Sequence, residues 1–319
     1  MGLSNSGLVV PGAHGLGLGS LALAGHYGAV DHAEAVQLVR QAVDSGVVLL
    51  DTPDMFAGGR VRSIIRQAVA SCRDEVFIVV HGPPAAQSAL AGTGRGEIVD
   101  DCENALRELG LSHIDLYVLH PADGRTPVEE QMEELAGLVA TGKVRNVGIS
   151  GMDTDRLIRA HSVHPVAAVA VEFSLLRREA ELGILPLARR LGAVLLAGRP
   201  LGRGILAGRI TDTARLDAVD VRRTDPRFSA EALSSVQVLL RTLHEVAADL
   251  DTSAGRLSLA WLLLGGTDVI PLPSTRERIH LEMNLSAHRL RLPQEALRRL
   301  YEAFPLPVPA GERGEGAAD

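Results

Sequence analysis

Residues 114–150 read IDLYVLHPADGRTPVEEQMEELAGLVATGKVRNVGIS. Residues 114–120 are a nearly continuous apolar run that ends in His120, the pattern of a strand buried on both faces. Residues 128–140 carry apolar side chains at helical spacing and stop just before Gly142, a residue suited to closing a helix. Residues 144–150 form a second apolar run, which ends in Ser150. Strand, helix and strand in so short a span make the repeating unit of a parallel sheet.

The same alternation continues outward in both directions. Apolar strands are expected at 17–20, 47–51, 76–81, 167–172, 193–197 and 268–271. Helices are expected at 31–45 with Asp31 as N-cap, and at 60–71, 96–109, 153–161, 182–191, 231–249, 258–264 and 276–285. A further helix is expected at 292–304. Eight strands alternating with helices predict an α/β protein, a single (β/α)8 TIM barrel over residues 1–304. Residues 305–319, rich in Pro, Gly and Ala, read as a flexible tail. A doubly wound open sheet is the alternative, and no G-x-G-x-x-G follows a strand to support it.

The bulk numbers narrow the function classes. The chain has 319 residues, a net charge of −7 and no Lys/Arg-rich run, so nucleic acid is not an expected partner. Two cysteines, Cys72 and Cys102, exclude a disulfide framework and are expected on barrel helices. No apolar run approaches the ~20 residues of a membrane span, and the N-terminus lacks a signal-peptide pattern. A cytoplasmic protein is the expectation.

Asp51, His81, His120, Ser150 and Glu172 stand at strand C-termini, where a barrel gathers its active site. The plainer reading of any one of them is a strand or helix cap. Two histidines and a carboxylate do not specify a single chemistry. A metal triad and a proton-transfer set both use them, and the second is preferred, with no metal expected.

Residues 51–56, DTPDMF, resemble the D-T-A-x-x-Y-G signature of the aldo-keto reductases. Residues 106–121 are similar to that family's L-x-x-L-x-x-x-x-I-D-L-Y segment and its His. Residues 142–150 match G-K-V-R-x-x-G-x-S, residues 200–204 match P-L-G-R-G, and residues 271–275 with Asn284 resemble the C-terminal phosphate-binding segment. The resemblance implies the barrel fold, NADPH lying across its mouth, and reduction of aldehydes and ketones. It assigns the tetrad Asp and His to Asp51 and His120. It assigns cofactor contacts to Ser150, Gly202, Ser274, Thr275, Arg276 and Asn284, with Arg278 beside them. Arg276 and Arg278 also have a plainer reading as solvated charges at a helix start.

The chain departs from the pattern where hydride transfer is done. The tetrad Tyr is replaced by Phe56 and the Lys by His81. A phenylalanine has no proton for a developing alkoxide, and losing a general acid costs ~10²–10⁴ in rate. At the nicotinamide end, Ala170 replaces a Gln, Gly198 the stacking Tyr and Arg199 the following Ser, so aromatic stacking is lost. Asp51, His81 and His120 are therefore the expected core of an acid–base site. Arg199 is a candidate for holding a carboxylate or enolate oxygen, and Tyr27 for supplying a substitute phenol. Three readings stand open, with cofactor either none or NADP(H). The favoured one is a repurposed enzyme that acts on a small or mid-sized carbonyl metabolite by acid–base chemistry, in a dehydration, cyclisation, epimerisation or C–C lyase reaction without normal hydride transfer. The others are an NADPH-dependent reductase with a substitute acid and a non-catalytic nucleotide sensor or scaffold.

Overall fold

A computed structural model describes residues 14–52, 59–82, 96–120, 126–151, 153–208, 210 and 212–307. Eight parallel strands follow one another in chain order: β1 (Leu18–Gly19), β2 (Leu49–Thr52), β3 (Phe77–His81), β4 (Ile114–Leu119), β5 (Val144–Ser150), β6 (Val166–Glu172), β7 (Val194–Gly198) and β8 (Val269–Pro271). The backbone closes the ring. Gly17 N–H donates to the Pro271 carbonyl and Gly19 N–H to the Pro273 carbonyl, each at 3.0 Å. The expected barrel is therefore formed, with helices packed outside it.

Those helices are α1 (His32–Asp44), α2 (Arg60–Ala68), α3 (Glu97–Leu109), α4 (Val128–Ala140), α5 (Thr154–Val163), α6 (Ile184–Leu191), α7 (Ala230–Asp249), α8 (Ala254–Leu263), α9 (Arg278–Leu285) and α10 (Gln294–Ala303). Asp31 caps α1 by accepting from Glu34 N–H at 3.0 Å. Two expectations need correction. Helix α8 begins at Ala254, not 258, because Ser253 caps it by accepting from Arg256 N–H. Cys102 lies buried on α3, whereas Cys72 sits in the turn after α2. Most of the expected tail, residues 308–319, lies outside the described residues. No described helix is long and apolar enough to cross a membrane.

The core has two layers set by the period-2 alternation of the strands. Leu49, Val79, Leu116, Val118, Ala168 and Leu196 fill the barrel interior. Their neighbours Leu50, Ile78, Val80, Tyr117, Val169 and Leu195 point outward into the layer beneath the helices. This phase places the site. Two residues beyond Leu49, Val79 and Val118 come Asp51, His81 and His120, all on the inward face. The register agrees, with Asp51 beside Val79 and His81 beside Val118.

Candidate active site

Asp51, His81, His120 and Ser150 form an unbroken hydrogen-bonded line. Asp51 Oδ1 lies 2.6 Å from His81 Nε2. His81 Nδ1 lies 3.2 Å from His120 Nε2, and His120 Nδ1 lies 2.5 Å from Ser150 Oγ. The carboxylate fixes the polarity, because it can only accept. His81 Nε2–H donates to Asp51, which leaves Nδ1 of a neutral ring to accept from His120 Nε2–H. His120 Nδ1 then accepts the Ser150 hydroxyl. Asp51, His81 and Ser150 are buried and His120 is half-buried. Burial, reinforced by His81 and Arg199, lowers the His120 pKa from 6.5 to about 3. His120 is thus a neutral ring across the physiological range.

These four residues line a cavity of about 840 Å³, towards the upper end of the ~300–1,000 Å³ usual for ligand pockets. Ser274, Thr275, Arg276, Met283 and Asn284 line the same cavity. The two sets of expected residues therefore share one space. Ser274 Oγ accepts from Ala22 N–H at 2.7 Å, and Thr275 Oγ1 accepts from Glu277 N–H at 3.1 Å. Arg276 donates to the Ala29 carbonyl at 3.3 Å and is otherwise exposed. Arg278 instead reaches Gln37 on α1, so its reading as a surface residue holds.

Tyr27 also lines the cavity, but makes no hydrogen bond to Asp51, His81 or His120. The Arg222 guanidinium stacks 4.4 Å from its ring centre. Burial pushes the phenol pKa up against the opposing effect of Arg203, Arg222 and Arg199. A phenol so placed is a weaker acid, which counts against Tyr27 as the substitute donor. Arg199 lines the cavity and donates to Glu172 at 2.9 Å. Gly202 is not among the wall residues; its positive φ of 56° turns the chain between Leu201 and Arg203, which are. Ala170 and Gly198 lie on the wall as expected, and a β-carbon on Gly198 would meet nothing closer than 3.4 Å. The floor there is open. Phe56 lies outside the described residues.

Several wall residues carried no readable signal in the sequence. Ser253, Gly255 and Arg256 reach the cavity because α8 starts four residues earlier than its apolar pattern indicates, bringing a helix N-terminus to the wall. His280 reads as a solvated helix position, yet it is half-buried on the wall beside Glu277. Arg222 arrives from a segment of short 3₁₀ turns with no periodicity.

The chain is similar to known proteins along most of its length. A family model described as the aldo/keto reductase family matches residues 15–304. A probable aldo-keto reductase from Glycine max is 31% identical over 303 residues, covering 93% of this chain and 87% of that protein. A Klebsiella pneumoniae aldo/keto reductase solved with NADP and acetate superposes with a TM-score of 0.71 at 25% identity, covering 92% of each chain. A glycerol dehydrogenase from Gluconobacter oxydans has the same fold, with a TM-score of 0.80 at 24% identity over 97% of each chain.

Proposed function

Because the chain belongs to the aldo/keto reductase family, we propose that it is an NADP(H)-dependent carbonyl–alcohol oxidoreductase whose proton is handled by the Asp51–His81–His120–Ser150 line. The observation that carries this reading is the single cavity joining that line to Ser274, Thr275, Arg276 and Asn284. A site for a small carbonyl compound alone has no use for a cavity of this size with Arg256 and Arg276 added to its wall. The residues fit a dinucleotide there. Arg276 and Arg256 offer charge-assisted donors to phosphate, and the α8 N-terminus opens beside them. On the same wall Ser150 keeps lone pairs to accept from a carboxamide while its proton is given to His120.

The bound nicotinamide supplies the hydride chemistry. The chain's own residues move the proton. A proton taken up at His120 Nδ1 displaces the one on Nε2 to His81 Nδ1, where the resulting imidazolium faces the Asp51 carboxylate. In the reducing direction the line starts loaded, with its extra proton on the His81 imidazolium beside Asp51, and the reverse shift delivers that proton to the cavity from His120 Nδ1 or through the Ser150 hydroxyl. His120, held neutral by burial, passes the proton rather than storing it. This arrangement meets a developing alkoxide without the missing phenol.

The reading without hydride transfer, which the sequence favoured, keeps one specific observation: Gly198 leaves the wall without an aromatic platform. Calorimetric titration with NADPH and NADP+ at low salt separates the two. Micromolar binding is expected, weakened roughly tenfold by Arg276→Ala. Absence of binding up to millimolar concentration would overturn the oxidoreductase reading and leave Asp51, His81 and His120 as a cofactor-free acid–base site.

A further inference from the structure

We propose that the substrate carries a carboxylate and that Arg199 is the residue that selects it. The proposal names the substrate class for the oxidoreductase reading above and rests on it.

The chain is acidic as a whole, with a net charge of −7, but its cavity is not. Among the described residues five arginines line it, Arg199, Arg203, Arg222, Arg256 and Arg276, against the carboxylates of Asp51, Glu172 and Glu277. Three of them, Arg199, Arg203 and Arg222, lie close enough to act on the Tyr27 phenol, and Arg199 also helps lower the His120 pKa.

Of these three, Arg222 is already satisfied. It grips Asp220 through Nε and Nη2 at 2.9 and 2.5 Å and stacks on Tyr27. Arg199 and Arg203 are held differently. Their φ angles are 49° and 55°, two of only three positive values at non-glycine positions among the described residues. A side chain with a β-carbon is disfavoured there, and such strain gathers at ligand-binding walls. Glycine would make the same turn without it.

The partners of Arg199 show what it accepts. Its Nη1 lies 2.9 Å from Glu172 Oε2, at the inward-facing end of β6. Arg227 also reaches Glu172, at 3.3 Å, and holds Asp225 at 2.7 Å. Arg203 shares that Asp225 at 2.9 Å. Three guanidiniums thus divide two carboxylates. Arg199 is the most open of the three, its side chain 41% exposed. An incoming carboxylate can take Arg199 from Glu172 while Arg227 keeps Glu172 neutralised. The planar guanidinium fork matches a carboxylate in both arrangements.

The test titrates glutarate, an unreactive dicarboxylate, into the protein with and without saturating NADP+. Wild type is expected to bind it, Arg199→Gln to weaken binding roughly tenfold, and Glu172→Gln to tighten it by removing the resident competitor. Both variants break the same ion pair, so a merely structural pair moves both in one direction; that outcome overturns the proposal, as does a wild type blind to glutarate. If Arg199→Gln instead loses NADPH affinity and leaves glutarate binding intact, Arg199 serves the dinucleotide pyrophosphate and the proposal is wrong. In turnover, wild type is expected to prefer 4-oxopentanoate to 2-pentanone, with the preference erased in Arg199→Gln. Glutarate binding through Arg199 in a protein that takes no NADPH would defeat the oxidoreductase reading alone.

Discussion

His120 is an ordinary histidine in an environment that denies it a charge. Its folded pKa is lowered to about 3 by burial first, then by His81 and Arg199, against 6.5 in an open chain. Between those values the unfolded chain binds the proton and the folded chain does not. Stability fully present above pH 6.5 is therefore lost progressively as pH falls towards 3. We expect the urea midpoint of the wild type to fall more between about pH 7 and pH 4 than that of His120→Gln, which carries no ionisable ring. Equal slopes would show that the ring is not held neutral. In turnover the same variant interrupts the line between Ser150 and His81, and kcat is expected to drop by ~10²–10⁴.

Among the elements, β1 is the shortest strand and the one most tightly specified. A β-carbon on Gly19 would stand 2.6 Å from the Leu272 carbonyl oxygen, a backbone atom that no rotamer change can move aside. A β-carbon on Gly17 would meet Leu272 and Leu49 side chains at 2.6 and 2.7 Å. These two glycines let β1 and the β8 segment approach closely enough to complete the ring. Gly19→Ala is expected to lower stability by about 1–3 kcal/mol, the usual range for forced overpacking. Gly137→Ala supplies the contrast. It lies exposed on α4 with nothing within 4 Å of the added carbon, and is expected to gain about 0.5–1 kcal/mol. Denaturant midpoints of the two variants should move in opposite directions; a neutral Gly19→Ala would mean the seam is slack.

At the scale of the molecule, the C-terminal helix is tied to the barrel through one buried cation. Arg178, 6% exposed, grips Glu181 at 2.7 and 3.0 Å and donates to the Phe304 carbonyl. Its guanidinium also lies over Trp261 of α8 at 5.5 Å and Tyr301 of α10 at 5.0 Å. The segment after β6, α8 and α10 thus meet on one side chain. Arg178→Ala leaves a partly buried carboxylate and a carbonyl without their donor, and is expected to cost about 3 kcal/mol. Arg178→Lys restores charge but not the fork, and should recover only part of it. A wild-type denaturant midpoint in Arg178→Ala would show that α10 docks without the clasp.

Strand periodicity in the sequence was enough to determine eight strand–helix units and to place Asp51, His81, His120 and Ser150 at strand ends, because alternation along a strand is a local property of the chain; closure of the ring rests on the contacts between β1 and the β8 segment. The family resemblance was legible in the chain's short motifs, which are equally local. Other features depended on contacts between distant segments. The start of α8 was hidden because Gly255 and a small-residue first turn interrupt its apolar pattern, so Arg256 and Ser253 could not be assigned to the wall. The polarity of the proton line needed distances between four different strands. The shared use of Glu172 and Asp225 by Arg199, Arg203 and Arg227 needed the 3₁₀ segment to fold back over the mouth. Charges in a sequence carry no partners; the closed barrel supplies them, and with them the difference between a solvated arginine and one paired on a cavity wall.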